Sequence, residues 1–352
     1  MIINANALHI PLADKCVNTV VTSPPYYGLR DYGVNGQLGL EPTPDEYIAN
    51  LLTVFRECKR ILRDDGTLWV NIGDSFYTQP AGNKKPSGFQ QKSSGGLSGA
   101  LAQYGTLTHL PKLDGIKQKD LIGIPWMLAF ALRADGWYLR SDIIWAKRNC
   151  MPESVKDRPT KSHEYIFLLS KSQSYYYDYQ AILEPATGFD GRKDTMFKGA
   201  VKSYNGVMPG GKPQSFAQNG HERWQYKNLQ PDGQQPNTMH LNRLEGEEYL
   251  SPVRNKRDVW FVSTKPYNGA HYATFPPELI TPCILAGAPE GGIVFDPFVG
   301  SGTTVATAIQ LGRRGIGLDL SLKYLQENAR QRIDKVKLPL LDYSPLTPGK
   351  VV

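Results

Sequence analysis

The feature that most restricts the fold lies near the end of the chain, where residues 292–318 alternate between strand and helix patterns. A short β-branched strand is followed by a turn containing Gly300 and Gly302, then by an apolar helix and a second strand. Glycines in such a turn let the backbone approach a ligand closely. Open α/β sheets bind nucleotide-like ligands where turns of this kind leave the carboxyl ends of strands. The segment therefore predicts an α/β sheet with a ligand site at the turn.

Polar residues around that turn support a ligand site. Asp319 ends the second strand about 20 residues beyond the turn, where a carboxylate can accept hydrogen bonds from ribose hydroxyls. Thr303 and Thr304 are placed to cap the helix. The alternative is a structural strand–helix–strand unit in which Asp319 caps the next helix. No Gly-Lys-Ser/Thr is present, which excludes a phosphate-binding P-loop, but a dinucleotide and S-adenosylmethionine are both compatible with the turn.

The remaining patterns predict one mixed α/β sheet interrupted by two irregular insertions. Residues 1–184 and 258–340 are expected to form a single domain, with a lysine-rich insertion at 78–119. Residues 185–257 form the second insertion. Strands are predicted at 17–22, 67–72, 137–145, 163–170, 175–178, 258–262, 292–295 and 315–318, and helices at 44–63, 120–134, 277–288, 302–310 and 322–333.

Composition excludes several classes of protein. The 352-residue chain has a formal net charge of +7, which is compatible with a polyanionic partner. Its four cysteines are scattered and no His cluster has metal-ligand spacing, so neither a metal site nor a disulfide framework is expected. No signal peptide or membrane-spanning stretch is recognised, which predicts a cytoplasmic protein without a membrane partner.

A second motif lies near the start of the chain, where the strand at 17–22 runs directly into Ser23, Pro24, Pro25 and Tyr26. Two prolines make a stiff corner that projects the Ser23 hydroxyl and the Pro24 carbonyl beyond the sheet. Two acceptors followed by an aromatic ring suit a planar group that carries an NH₂. The alternative is an ordinary turn with an incidental tyrosine.

The two motifs together resemble the amino-methyltransferases of DNA, which modify adenine at N6 or cytosine at N4. The resemblance rests on Ser-Pro-Pro-Tyr at residues 23–26 and Phe-Val-Gly-Ser-Gly at 298–302, in the order of the family's circularly permuted β group. It covers nearly the whole chain except the two insertions. It implies a Rossmann-like mixed seven-stranded sheet, S-adenosyl-L-methionine as cofactor and double-stranded DNA as substrate.

The family's residue roles carry over position by position. The resemblance implies that Ser23 and Pro24 hold the target amine, that Pro25 completes the corner, and that Tyr26 stacks on the base. The chain has Ala5-Asn6 where the family often has Gly-Asp near the cofactor adenine. Cofactor contacts are implied for Asp296, Pro297, Phe298, Gly300, Ser301, Gly302 and Thr303, for Asp319 at the ribose, and for Phe275 and Pro276 near the methionine end.

The implied reaction is methyl transfer to the exocyclic amine of a base flipped out of the duplex. Serine at the first motif position is commoner among the cytosine N4 enzymes, so cytosine is the expected target and adenine N6 is the alternative. A non-catalytic DNA-binding protein that keeps the cofactor fold and an RNA methyltransferase both stay open as hypotheses. Methylation of the cytosine ring carbon would need a cysteine nucleophile. Cys283 follows a proline, but it lies in an apolar helical segment and is expected to be a buried thiol.

Contacts to DNA are expected from the insertions, since 185–257 lies where β-group enzymes keep their target-recognition region. His163-Glu164 is interpreted as a strand end rather than a catalytic pair, because the mechanism needs no separate base. Expected partners are double-stranded DNA and a cognate restriction endonuclease, with monomer and homodimer both open. Five basic residues are the expected contacts to the DNA backbone: Lys84, Lys85, Arg254, Lys256 and Arg257.

Overall fold

The computed structural model describes residues 1–29, 31–77, 113–150, 152–185, 253–264 and 275–336. The chain divides into two units, one formed by Met1–Ala181 with Arg257–Val352 and the other by Ile182–Lys256. Lys84 and Lys85 lie outside the described residues, as does most of the predicted recognition region at 185–257.

The strands of the first unit form one eight-stranded sheet, and two short strands of the second unit pair with each other. The spatial order in the large sheet is β1-β10-β9-β2-β3-β5-β4-β8. In chain order the strands are β1 (Ile2–Asn4), β2 (Val17–Thr22), β3 (Leu62–Ile72), β4 (Tyr138–Ala146), β5 (His163–Ser170), β6 (Glu184–Pro185), β7 (Val253–Arg254), β8 (Val259–Phe261), β9 (Ile293–Asp296) and β10 (Arg314–Asp319).

The order of the strands is that of a circularly permuted sheet, because β2 from the start of the chain lies between β9 and β3. The run from β1 to β3 is entirely parallel. β5 is antiparallel to both β3 and β4, while β8 is parallel to β4. The carboxyl ends of β10, β9, β2 and β3 therefore meet at one edge of the sheet, and this edge is where the site is built.

Four helices of at least two turns are described: α1 (Pro44–Ile61), α2 (Ile124–Ala134), α3 (Pro277–Gly287) and α4 (Thr303–Gln310). A final helical segment follows β10 and contains a π-helical turn at Leu325–Ala329. α1 and α2 pack together and bury Leu51, Phe55 and Leu128 in the same core as Val70 of β3 and Phe295 of β9. Removing these large side chains from water is the main force that holds the helices on the sheet.

α1 shows how local signals set the element boundaries. The Thr43 hydroxyl accepts the backbone N–H of Glu46, and Pro44 occupies the first turn, both of which favour a helix start. The helix ends at Ile61 rather than at the predicted residue 63, because Leu62 is already extended and begins β3. The pairing of β3 with β2 shifts register in this region, since Val17 pairs with Leu62 and Thr19 with Thr67.

The sheet differs from the expected one in two places. It has eight strands rather than the seven that the resemblance implies, and one of them, the short strand Ile2–Asn4, pairs with β10 and has no alternating pattern to reveal it. The strand predicted at 175–178 is wrong, because this segment joins no strand. Its backbone N–H groups make only single hydrogen bonds to other elements, from Tyr176 to the carbonyl of Asp65 in β3 and from Asp178 to the carbonyl of Ala286 in a helix.

Among the helices that the structure describes, none is long and apolar enough to cross a membrane.

Candidate active site

The loops that carry the two sequence motifs leave neighbouring strands at the same edge of the sheet. β2 pairs in parallel with β9. The corner at residues 23–26 follows β2 directly, and the glycine loop at 297–302 follows β9. A hydrogen bond of 2.6 Å from the Thr22 hydroxyl to Asp296 joins the two strand ends. The two motifs, far apart in the chain, therefore lie side by side in the fold.

Asp296 holds this junction together. Its carboxylate accepts hydrogen bonds from the hydroxyls of Thr22 and Thr304, each at 2.6 Å, and from the backbone N–H of Phe298 at 3.0 Å. The residue is only 2% exposed. Burial raises the pKa of Asp296 to about 6, although its three hydrogen bonds act to lower it. Since these partners belong to the end of β2, the glycine loop and the first turn of the helix that follows the loop, Asp296 shapes the loop from within the protein.

The glycine loop depends on backbone conformations that favour glycine. Gly300 and Gly302 have φ angles of +47° and +82°. A Cβ atom at Gly302 would also lie 3.0 Å from the Cα atom of Ala329. Side chains at these positions would therefore introduce backbone strain and, at Gly302, a clash with a neighbouring helix.

The threonines after the loop do not cap α4 as expected. The helix begins after Gly302, and no side chain caps it. The Thr303 hydroxyl instead contacts Ser301 and accepts a hydrogen bond from Arg332, while the Thr304 hydroxyl binds Asp296. The positive φ angle of Gly302 turns the chain into the helix directly, so both hydroxyls are available to fix the loop.

Asp319 lies at the end of β10 beside the glycine loop. Its carboxylate accepts the backbone N–H of Gly300 at 3.0 Å and that of Ser321 at 2.8 Å. Burial raises the pKa of Asp319 above its ordinary value. The N-terminal segment adjoins it, because the Ala5 N–H donates to the Asp319 carbonyl. The side chain of Asn6 accepts a backbone N–H two residues later, so it closes a local turn.

The proline corner after β2 is held by α1. Tyr47, fully buried in α1, donates its hydroxyl hydrogen to the Pro25 carbonyl at 2.6 Å. Pro24 is buried, whereas Ser23 is partly exposed. No hydrogen bond from another described residue reaches the Pro24 carbonyl. The corner therefore presents one hydroxyl and one carbonyl oxygen in a fixed position.

Tyr26 is anchored by residues of β3 and β5. Its hydroxyl donates to the Glu164 carboxylate at 2.6 Å and lies 3.4 Å from the side-chain oxygen of Asn71. A Cβ atom at Gly73 would lie 2.7 Å from the Tyr26 ring, so glycine is needed behind the ring. Burial, followed by the charge of Glu164, raises the pKa of Tyr26 well above its ordinary value, so its hydroxyl stays protonated as a donor.

A cavity lies beside the Tyr26 ring. Asp74 forms part of its wall, and the Asp74 carboxylate accepts backbone N–H groups of Gly123 and Ile124 at the start of α2. Burial raises the pKa of Asp74. The cavity is lined by Tyr26, Tyr27, Leu29, Gly73, Asp74, Ser75 and Ile124.

Comparison with known proteins identifies the family. The profile of the N6/N4 DNA methylase family matches residues 17–330. The chain belongs to this family. It is 43% identical over 314 residues to the Type II methyltransferase M.Cfr9I of Citrobacter freundii, covering 89% of this chain and 80% of that one. It is 41% identical over 322 residues to the Type II methyltransferase M.SmaI of Serratia marcescens, covering 92% and 86% of the two chains.

Solved structures share the fold of this DNA methyltransferase at low sequence identity. The cytosine-N4-specific PvuII DNA methyltransferase superposes with a TM-score of 0.55 and 14% identity, covering 94% of this chain and 85% of that one. A Thermus thermophilus protein in complex with S-adenosyl-L-methionine gives a TM-score of 0.52 and 18% identity, covering 95% and 93%. The permuted α/β architecture is therefore that of known methyltransferases.

The basic residues expected to contact DNA differ in their surroundings. Arg254 forms an ion pair with Glu184, at 3.0 Å, which joins β6 and β7. Lys256 is half-buried and Arg257 is exposed, with the Arg257 carbonyl accepting the indole N–H of Trp260 at 2.6 Å. A role for these residues in DNA binding by the methyltransferase stays a prediction.

Three further residues of the methyltransferase lie at or in α3. Phe275 is partly exposed and Pro276 is buried at the amino end of this helix, and their place near the methionine end of the cofactor stays a prediction. Cys283 is 1% exposed within the helix, which confirms that it is a buried thiol.

Glu164 is the residue of the site that the sequence interpretation undervalued. The structure places its carboxylate in direct contact with Tyr26, so it is not simply the end of a strand. The sequence signal for this role was weak: Glu164 is a carboxylate at the second position of a strand, residues 163–170, whose later residues are mostly apolar.

Proposed function

We propose that this DNA methyltransferase transfers the methyl group of S-adenosyl-L-methionine to the exocyclic N4 of a cytosine flipped out of duplex DNA. The observation that carries the proposal is the adjacency of Ser-Pro-Pro-Tyr at residues 23–26 and the glycine loop at 297–302, on paired strands joined through Asp296. An amine acceptor and a nucleoside-binding loop at one sheet edge are the two halves that such a transfer needs.

The glycine loop suits this cofactor. Asp319 ends β10 beside Gly300, and each of its carboxylate oxygens accepts one backbone N–H and keeps a second lone pair for a ribose hydroxyl. The P-loop lysine of a phosphate site is missing from the sequence, and carboxylates end both β9 and β10. This acidic setting favours a positively charged nucleoside over a polyphosphate. When bound, the cofactor supplies an electrophilic methyl group.

The proline corner prepares the amine for attack. The lone pair of an exocyclic amine is delocalised into the base, which makes the nitrogen a poor nucleophile. The Ser23 hydroxyl and the Pro24 carbonyl would accept its two N–H bonds and draw the nitrogen towards tetrahedral geometry. Because Tyr47 fixes the corner, these acceptors are already in position before the base arrives.

The choice of cytosine rests on the chemistry of Ser23. A neutral hydroxyl occupies the first motif position, where the adenine N6 enzymes of the family commonly have aspartate. The cytosine-N4-specific fold relative is compatible with this choice. Flipping the base costs on the order of a few kcal/mol, which contacts with the corner and the Tyr26 ring would offset.

Analysis of the methylated nucleosides tests the proposal. The protein is incubated with mixed-sequence duplex DNA and cofactor carrying a labelled methyl group, and the DNA is digested to nucleosides for mass spectrometry. We expect the label in N4-methylcytosine. Label in N6-methyladenine would keep the enzyme class and refute the base, whereas label in 5-methylcytosine or in no nucleoside would refute the proposed chemistry.

A further inference from the structure

Glu164 collects three donors from three different parts of the sheet edge. It accepts the Tyr26 hydroxyl at 2.6 Å and the Asn71 amide at 3.2 Å on one carboxylate oxygen, and the Lys147 ammonium on the other. The side chains of Glu164 and Lys147 are 15% and 20% exposed, so the pair is largely shielded from water. Hydrogen bonds to a charged, shielded acceptor are stronger than those between neutral groups.

The Tyr26 ring has little freedom in this arrangement. The missing side chain of Gly73 leaves room for the Cε2 atom of the ring, and a Cβ atom there would also lie 3.4 Å from the Glu164 side chain. The hydroxyl has two other polar partners: the side-chain oxygen of Asn71, which is 3.4 Å away and makes a weak contact, and the Ser23 side chain, which affects the phenol less than Glu164 does. The orientation of the ring thus depends mainly on its bond to Glu164.

Lys147 completes the arrangement by balancing the charge of Glu164. Its ammonium group also lies 4.5 Å from the centre of the Trp145 ring, so the lysine is held from a second side. Burying the Glu164 carboxylate beside a tyrosine without a cation would cost desolvation free energy. The ion pair with Lys147 offsets part of that cost.

We propose that Glu164 is a positioning residue for methyl transfer, which acts by fixing the Tyr26 ring where the target base must stack. The inference rests on the proposed function, because it assigns Tyr26 to the base. Glu164 itself touches neither the amine nor the cofactor in this scheme. It lies behind the ring, and the ring faces the base.

The first test is a double-mutant cycle between Glu164→Gln and Tyr26→Phe. Glutamine keeps the size of the side chain but accepts the phenol less strongly, and Tyr26→Phe removes the phenol. We expect Glu164→Gln to lower the single-turnover rate by about 10- to 100-fold in the wild-type background and to change it little when Tyr26 is already Phe. The dissociation constant for the cofactor should stay unchanged in every variant.

Glu57→Gln serves as the matched control, because Glu57 also pairs with a cation, Arg60, but lies on α1 away from the corner. It should leave the single-turnover rate unchanged. If Glu164→Gln lowers the rate equally in both backgrounds, or not at all, the positioning role is refuted. An equal loss of rate in Glu57→Gln would also refute it, because the loss would then not depend on contact with Tyr26.

A crystal structure of the Glu164→Ala variant gives a readout that is independent of activity. We expect the Tyr26 ring to leave its position over Gly73 while Ser23 and Pro24 stay in place. A ring that keeps its position would refute the proposal. The crystal structure of the variant tests the contact between Glu164 and the Tyr26 ring. The nucleoside analysis of the wild type tests the proposed function, so failure of one can be told from failure of the other.

Discussion

A single methyl group added at Gly73 should show how much the position of Tyr26 matters for methyl transfer. Gly73 follows β3, and its backbone does not have the positive φ angle that would exclude alanine. Gly73→Ala therefore leaves the backbone conformation accessible and acts through contact alone. The new Cβ atom would lie 2.7 Å from the Cε2 atom of the Tyr26 ring and 3.4 Å from the Glu164 side chain.

The size of the effect follows from these distances. Ordinary carbon contacts begin near 3.4 Å, so the ring must retreat by about 0.7 Å from its 2.7 Å contact. Retreat strains the 2.6 Å bond to Glu164, and Glu164 cannot withdraw freely because Asn71 and Lys147 hold it. A displacement near 1 Å at a reacting geometry can cost roughly 100-fold in rate, so we expect a loss of about 10- to 100-fold. Crowding should lower the free energy of unfolding by about 1–3 kcal/mol.

Single-turnover kinetics with labelled cofactor, together with chemical denaturation, measure both effects. Gly66→Ala is the matched control, since its Cβ atom would be similarly crowded, 2.8 Å from the Leu62 side chain, but Gly66 lies within β3 and away from Tyr26. It should lower stability and leave the transfer rate of the folded protein nearly unchanged. If Gly73→Ala keeps the wild-type rate, or if Gly66→Ala loses as much, then the position of the Tyr26 ring does not limit the reaction.

Three further changes test other parts of the site. Asp296→Asn should remove a pH dependence of the unfolding free energy. Burial raises the pKa of Asp296 to about 6, so the carboxyl group contributes most stability below its ordinary pKa of 3.8, and that contribution is lost as the pH rises through 6. The difference in unfolding free energy between wild type and variant should therefore change by about 2 kcal/mol between pH 4 and pH 7.5, and parallel curves would contradict this. Asp319→Ala should weaken cofactor binding by roughly 10- to 100-fold in calorimetry, and an unchanged affinity would remove Asp319 from the cofactor site. Cys283→Ser should keep methyl transfer, because no thiol takes part in the chemistry, so loss of transfer in the folded variant would point to a cysteine mechanism.

The parts of the fold that the sequence predicted depend on local patterns. The strand at 17–22 is β-branched and stops at a proline, and the glycine turn at 297–302 stands between an apolar strand and a helix. Both elements formed where expected. Once both are strands of one parallel sheet, their loops must emerge at the same edge, which is why the meeting of the two motifs was predictable.

The contacts that complete the site could not be predicted in this way. Tyr26 and Glu164 are 138 residues apart and meet only through the antiparallel pairing of β3 with β5, and a sequence pattern does not specify that register. Thr304 looked like a helix cap because threonine favours that position, but the buried Asp296 carboxylate is the stronger acceptor for its hydroxyl. Tertiary partners decided both cases.

The same limit applies to β1. A strand of three residues carries no alternating pattern, and Ile2–Asn4 becomes a strand only because β10 offers it an unpaired edge. Its place matters for the site, since it brings the segment at Ala5 beside Asp319.

The Ser23→Ala variant tests the central claim most directly, because it removes one amine acceptor at the corner without touching the glycine loop. Cofactor affinity is measured by calorimetry, and the transfer rate is measured in a single turnover on duplex DNA. We expect unchanged affinity together with a rate at least about 100-fold lower. A variant that binds the cofactor and methylates DNA at the wild-type rate would show that the corner does not hold the amine.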